Sequence, residues 1–226
     1  MLTNDRNLNL DYTKGFLVIC MVIYHSITYF TTTGYDGTKY IRFVTGSFIF
    51  ISGYIVSVFY HNKFIFNKVK TSKRLITRGL KLIFIFTFLN IIISLAGIQS
   101  HKFVQYDINL FLQSLRAIYV QGNSIYAVFQ ILVPIAYFLF LSPLLLFFQN
   151  RKKTIMLLTI LLLLIHVMFN ISSFNLYGLL IGLVGFSVGF ISVNQEQYAI
   201  KQKIFILLLF FISILLMPFF DKNIIF

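Results

Sequence analysis

Long apolar runs separated by short basic clusters are the feature that most limits what this chain can fold into. Of its 226 residues, 58% are hydrophobic and 11% are charged. A soluble domain of this size cannot bury such runs, whereas a hydrocarbon core about 30 Å thick takes roughly 20 apolar residues per helix. Because helices satisfy their own backbone polar groups in lipid, the sequence predicts an all-α, polytopic transmembrane helix bundle.

The hydropathy pattern predicts seven membrane spans in a single domain that covers residues 1–226. The expected spans are 14–33, 40–60, 77–98, 124–148, 154–170, 174–193 and 203–220. The longest connection contains the stretch 108–116, whose apolar residues have the spacing of an amphipathic helix. We expect that helix to lie at the membrane interface without crossing.

The basic residues predict the orientation of the bundle and not a nucleic-acid site. The formal net charge is +13, but lysine and arginine occur in short clusters between the apolar runs. With the N-terminus in the cytoplasm, fourteen of the 19 basic residues fall on the cytoplasmic side, as the positive-inside rule favours. We therefore expect a multi-pass protein of the cytoplasmic membrane, with lipid and not nucleic acid around it.

His25 is the first candidate for chemistry, because it lies among apolar neighbours well inside the first predicted span. Ionisable residues at such depth are rare and usually face a cavity or a partner. A histidine titrates near neutrality, which suits it to accept a proton from a hydroxyl or amine nucleophile. The alternative is a hydrogen-bonded histidine that only joins helices.

A basic stretch enters the third predicted span from the cytoplasmic side. It includes Arg74, Arg78 and Lys81, and the four-residue spacing of the two arginines places both on one face of a helix. Such a row can hold a polyphosphate, with arginine supplying bidentate contacts. Anchoring of the helix at the lipid headgroups is the other explanation for these charges.

Polar residues in and before the first two spans are further candidates. Asp11 precedes Lys14 at the cytoplasmic mouth of the first span, where a carboxylate can also cap the helix or pair with the basic stretch. The hydroxyls of Ser47 and Ser52, in the second span, can orient a substrate or His25. Glycines in the second and sixth spans favour close packing of helices. The histidines and the single cysteine lack metal-ligand spacing, so no metal is expected.

Taken in order, these residues resemble the acyltransferase 3 families and their relatives. The segment 6–15 and the pair Tyr24-His25 are similar to the signature of the first helix in those families. The segment 48–54 resembles the Phe-Ser-Gly element of their second helix, and 73–78 resembles the basic start of their third. The stretch from Arg78 to Gln130 is similar to heparan-alpha-glucosaminide N-acetyltransferase-like catalytic domains.

The resemblance implies that an acyl-CoA such as acetyl-CoA enters from the cytoplasm. Its acyl group then passes to a hydroxyl or amine of an extracytoplasmic or cell-surface carbohydrate. In this interpretation His25 is the catalytic base, Arg74 and Arg78 hold the phosphates of the donor, and Asp11 helps to shape the cytoplasmic mouth. Beside the resemblance, we expect Lys14 and Lys81 as further cations at the donor, and Ser47 and Ser52 as residues that orient the substrate.

Two departures from the family pattern leave other functions open. Lys14 stands where the family usually has arginine, and seven predicted spans are fewer than the roughly ten of acyltransferase 3 proteins. A transporter or flippase is one alternative, although it would show broken helices in paired halves. A non-catalytic relative of the acyltransferases is the other.

Overall fold

A computed structural model describes residues 8–30, 43–96, 107–122, 127–148 and 173–193. Of these residues 90% are helical, and none forms a strand. The all-α prediction is therefore confirmed for the part of the chain that the structure describes. The predicted spans 154–170 and 203–220 lie outside it.

The described residues form seven α-helices and two π-helical segments. They are α1 (Leu8–Phe30), α2 (Phe43–Ile55), the first π segment (Val56–Tyr60), α3 (His61–Phe66), α4 (Lys68–Leu95), α5 (Ile108–Gln113), the second π segment (Ala117–Gln121), α6 (Leu132–Phe147) and α7 (Phe174–Val193). The continuous helix Val44–Phe66 and α4 are long and apolar enough to cross a membrane, while α6 and Phe174–Phe190 of α7 are apolar but shorter.

The predicted helix boundaries hold for two helices and shift for two others. The sixth predicted span, 174–193, coincides with α7, and the expected helix after residue 107 is present as α5. The third span begins earlier than residue 77, because the Asn67 side chain accepts a hydrogen bond from the backbone N–H of Lys70 and caps α4. The second continues past residue 60 to Phe66.

The start of the fourth predicted span, at residue 124, is wrong for a local reason. Residues 127–131 are not helical, and α6 begins at Leu132. Pro134 therefore lies in the first helical turn, where its missing N–H needs no intrahelical partner. A helix starting at 124 would press the proline ring against the Gln130 carbonyl. Phe129 also adopts a φ of 58°, which a helix does not accommodate.

A second proline, Pro143, lies inside α6 and removes the hydrogen bond that the Leu139 carbonyl would normally accept. The Ser142 hydroxyl donates to that carbonyl instead, at 2.7 Å. Ser142 is fully buried, so its hydrogen bond prevents an unsatisfied carbonyl in the interior. Because the Ser142 hydroxyl replaces the missing Pro143 N–H as donor, α6 continues to Phe147.

The chain divides into two compact units, Met1–Phe48 with Ile206–Phe226, and Ile49–Phe205. In the second unit, α2 and α7 touch at their backbones. A Cβ atom added at Gly53 would overlap the carbonyl oxygen of Gly182, and one added at Gly189 would overlap the hydroxyl of Ser57. The contacts advance together along both helices, so α2 and α7 are parallel. Close approach at small residues is what the glycine pattern predicts.

Helix α6 lies parallel to α7 in the same unit. Pro134 packs on Gly178 near the start of both helices, and Phe138, one turn later, packs on Gly182. The rings of Phe138 and Phe186 meet nearly edge to face, with centroids 6.2 Å apart. Aromatic rings on α6 thus fill the space that the glycines of α7 leave.

Helix α4 runs in the opposite direction to α6. The ammonium of Lys68, at the start of α4, lies 5.6 Å from the ring centroid of Phe147, at the end of α6. The amide of Asn90, near the end of α4, hydrogen-bonds to Val128, just before α6 begins. Among the described helices of the second unit, α2, α6 and α7 therefore run one way and α4 runs the other.

Two clusters of buried side chains form the core of this unit. The smaller lies between α4, α5, the second π segment and α6, and its fully buried members are Phe86, Phe111, Ile118 and Val133. The larger lies between the first π segment, α3, α4, α6 and α7, and its members are Val56, Tyr60, Phe64, Leu75, Phe138, Leu145, Leu146, Leu180, Leu183, Phe186 and Phe190.

The opposite side of α4 exposes a long stripe of large apolar side chains. We call it the apolar stripe, and its members are Ile76, Leu80, Phe84, Ile85, Phe88, Ile92 and Leu95, each at least 41% exposed. From Ile76 to Leu95 the helix rises about 28 Å, close to the roughly 30 Å of a hydrocarbon core. Soluble monomers rarely expose a contiguous apolar surface of this size.

Replacing Gly53 or Gly185 with alanine should destabilise the protein by about 1–3 kcal/mol, because the new methyl group would overlap the carbonyl of Gly182 or Phe50. Thermal unfolding in lipid, followed by circular dichroism, measures the effect. Gly15→Ala is the matched control, since nothing lies within 4 Å of a Cβ there. Equal unfolding midpoints for all three variants would contradict this account of the packing.

Candidate functional site

The corner between α3 and α4 is held by hydrogen bonds and concentrates positive charge. Asn67 adopts extended backbone angles and separates the two helices. The Thr71 hydroxyl donates to the carbonyl of Lys63 at 3.1 Å, and the Thr71 N–H donates to the carbonyl of Asn67 at 3.1 Å. These bonds tie the end of α3 to the first turn of α4, so basic residues from both helices come together.

Tyr60, the last residue of the first π segment, lies at the centre of this corner. Its side chain is buried, and two cations approach its ring: the Lys63 ammonium at 5.8 Å from the centroid and the Arg78 guanidinium at 5.5 Å. Both distances are within the range of cation–π attraction. We call Tyr60, Lys63 and Arg78 the Tyr60 site.

No protein carboxylate near in sequence balances these two cations. The sequence contains no aspartate or glutamate between Asp36 and Asp107. Within the described ranges, neither Lys63 nor Arg78 forms an ion pair. Two exposed cations at one ring, without a counter-charge there, raise the local positive potential and favour an anionic ligand.

Arg74 and Lys81 lie on the same helix as Arg78 and are exposed. Arg74 is one turn nearer to the start of α4. Both arginines are in one continuous helix, so they lie on the same side of it, as their spacing predicts. Lys81 lies within the apolar stripe. The structure adds Tyr60 and Lys63, which sequence reasoning missed, and their three-residue spacing at the end of an apolar run was the available signal.

The other predicted site residues lie elsewhere along the chain. In the first unit, the Lys14 ammonium is 3.7 Å from an Asp11 carboxylate oxygen, and both side chains are more than a third exposed. Such exposed pairs contribute little to stability. Ser47, in the same unit, is buried, whereas Ser52, in the second unit, is half-buried. His25 lies on α1, and its side chain is outside the described residues.

Asn90 anchors the segment that leads into α6, at the end of α4 far from the basic corner. Its amide nitrogen donates to the carbonyls of Phe86 at 2.8 Å and Val128 at 3.1 Å. Its amide oxygen accepts from the Val128 N–H at 2.7 Å. Asn90 is almost fully buried and uses both donors, so its role is structural.

The second π segment is fixed by side chains from three helices. The hydroxyls of Thr87 and Tyr119 are 2.6 Å apart, and the Tyr137 hydroxyl donates to the Tyr119 carbonyl at 2.8 Å. The Asn175 amide donates to the carbonyls of Ile118 and Tyr119 at 2.9 and 3.0 Å. These side chains donate hydrogen bonds to carbonyls at the end of a helical segment, which otherwise have no intrahelical partner. That role accounts for the polar donors of this cluster.

Comparisons with known protein families, curated proteins and solved structures each found no match. The resemblance to the acyltransferase 3 families therefore stays a prediction from the sequence motifs.

Asn90→Ala should lower the free energy of unfolding by about 1–3 kcal/mol, because it leaves the Val128 N–H and carbonyl without their partner in a part-buried site. It should also speed hydrogen exchange in residues 127–131. Thr77→Ala is the control on the same helix, since it removes an exposed hydrogen bond to the Lys73 carbonyl. Exchange that is equally slow in both variants would show that Asn90 does not anchor the segment.

Proposed function

We propose that this chain is a multi-pass enzyme of the cytoplasmic membrane. It transfers an acyl group from cytoplasmic acyl-CoA, most simply acetyl-CoA, to a hydroxyl or amine of an extracytoplasmic carbohydrate. The observation that carries the proposal is the Tyr60 site, where Lys63 and Arg78 converge on one buried ring without a counter-charge in the described ranges.

Two features of the second unit support the membrane placement. The apolar stripe on α4 matches the thickness of a hydrocarbon core. The directions of α2, α4, α6 and α7 alternate as the second, third, fourth and sixth of seven spans would require. With the N-terminus in the cytoplasm, this placement puts the Tyr60 site at the cytoplasmic surface, on the side from which a soluble donor arrives.

The chemistry of the Tyr60 site fits the phosphate groups of an acyl-CoA. Arginine can bind a phosphate through two parallel hydrogen bonds, and lysine adds a mobile point charge. Arg74 extends the positive surface by one turn toward the start of α4. Lys14 and Lys81 are the other cations that the sequence predicts at the donor. Lys14 belongs to the other unit and Lys81 lies among the apolar residues of the stripe, so Lys63 and Arg78 are the cations to test.

The transfer step follows from the resemblance, with His25 as the general base. His25 removes a proton from the acceptor hydroxyl or amine as its oxygen or nitrogen attacks the thioester carbonyl. The C–S bond breaks while the new ester or amide bond forms, and the thiolate of CoA takes the proton from the histidinium. Asp11, Ser47 and Ser52 are proposed to orient the reacting groups.

Acyl-CoA binding should weaken about 10- to 100-fold in Lys63→Ala and in Arg78→Ala, because each loses a charge-assisted contact worth roughly 1.5–3 kcal/mol. Calorimetric titration of the purified protein in lipid measures the dissociation constant. Lys70→Ala is the matched control, since it removes one exposed positive charge from the first turn of the same helix. An equal, small effect in all three variants would show that the Tyr60 site does not bind the donor.

His25→Ala should abolish acyl transfer and leave donor binding intact, since the base acts in the chemical step. Label transfer from radiolabelled acetyl-CoA to a surface-carbohydrate extract measures the reaction in wild type and variant. Transfer by neither protein, despite tight donor binding by both, would indicate a non-catalytic relative. Absence of donor binding by the wild type would overturn the acyltransferase proposal.

A further inference from the structure

Lys81 is a cation within the apolar stripe of α4. It lies five residues after Ile76, roughly 7.5 Å further along the helix axis, and its side chain is exposed. Leu80, Phe84 and Ile85 surround it on the same side and are 57%, 68% and 45% exposed. A lysine that only anchors a helix at the headgroups would lie before the stripe and not inside it.

Before Lys81, this side of α4 also carries basic and polar residues. Arg74 lies two helical turns earlier on the same side, with Thr77 between them, and both side chains are exposed. The flexible stem of Lys81 can carry its ammonium toward Arg74 while its methylene groups stay among the apolar side chains. The Lys81 ammonium can therefore reach the headgroup level, where Arg74 adds to the positive potential.

The side chains that follow Lys81 suit a hydrocarbon chain. Half of a hydrocarbon core about 30 Å thick corresponds to about ten residues of helix, which from Ile76 reaches residue 86. A lipid tail in the same leaflet would therefore run past Leu80, Phe84 and Ile85. The ring of Phe84 stacks on that of Phe88, with centroids 5.9 Å apart and planes 9° from parallel, which extends the apolar surface along the helix.

We propose that an anionic phospholipid binds at this position on α4. The Lys81 ammonium holds its phosphate, and one acyl chain lies along Leu80, Phe84 and Ile85. Charge complementarity selects the anionic headgroup, because the sequence offers no carboxylate between Asp36 and Asp107. The inference rests on the membrane placement proposed above and not on acyl transfer, and it assigns Lys81 to a lipid in place of the donor.

The absence of tryptophan from the sequence allows a single fluorescent reporter to be placed beside Lys81. Phe84→Trp puts an indole on the proposed path of the acyl chain, and Ile92→Trp puts one further along the same stripe. Each protein is reconstituted in vesicles that contain equal fractions of unlabelled phosphatidylcholine and a brominated lipid. The brominated lipid, a quencher, is either phosphatidylglycerol or phosphatidylcholine.

Phe84→Trp should show a preference of about fivefold for brominated phosphatidylglycerol over brominated phosphatidylcholine, as one lysine near an anionic headgroup would give. The preference should disappear when Lys81→Ala is added, and Ile92→Trp should show none. Equal quenching of Phe84→Trp by the two lipids would overturn the proposal. A preference that persists without Lys81 would overturn it as well.

Donor binding, measured on the same proteins, separates this inference from the proposed function. A lipid preference that depends on Lys81, in a protein that binds no acyl-CoA, would leave the lipid site standing and remove the donor site. If Lys81→Ala instead weakens acyl-CoA binding tenfold or more and leaves the lipid preference unchanged, Lys81 binds the donor and the proposed lipid site is wrong.

Discussion

The backbone contact between α2 and α7 is the constraint on which the rest of the second unit depends. Because Gly53 and Gly189 have no side chain, the two helices lie closer together than any larger residue would allow. Ser57 is consequently held against α7 at the start of the first π segment, and one turn later the His61 ring meets Phe190 edge to face, with centroids 5.3 Å apart. The position of everything between these two contacts, including Tyr60, follows from the packing of α2.

Anion binding explains the arrangement of cations around Tyr60 better than a contribution to the stability of the fold does. Each cation–π contact at an exposed position is worth about 0.5–1 kcal/mol, and the repulsion between Lys63 and Arg78 offsets part of that. The hydrogen bonds at Asn67 and Thr71 already close the corner without either charge. A bound anion would reverse the sign of the electrostatic term, because it attracts both cations at once. The arrangement is therefore better explained by binding than by folding.

The apolar runs were enough to predict the helices. The ends of the helices and the residues of the Tyr60 site could not be predicted from the hydropathy pattern alone. The start of α4 depends on the cap at Asn67, and the start of α6 depends on Pro134 standing in a first turn and not in a helix interior. Arg78 was found because a four-residue spacing is local. Tyr60 was missed because its ring meets Arg78 only when α3 turns back on α4, which is a tertiary contact, and Lys63 joins the site only through that ring. The catalytic role of His25 stays a prediction.

The positions of the positive charges along α4 distinguish the cations that set the membrane orientation from those that orientation does not require. Lys68 and Lys70, in the first turn, already satisfy the preference for cations at a cytoplasmic helix end. Arg78 and Lys81 lie eight or more residues further on, where orientation does not require them and desolvation opposes them. They are three residues apart, less than one turn, yet one faces a buried tyrosine ring and the other an exposed apolar surface. Two cations in such different surroundings are better explained by two anionic ligands than by one anchor.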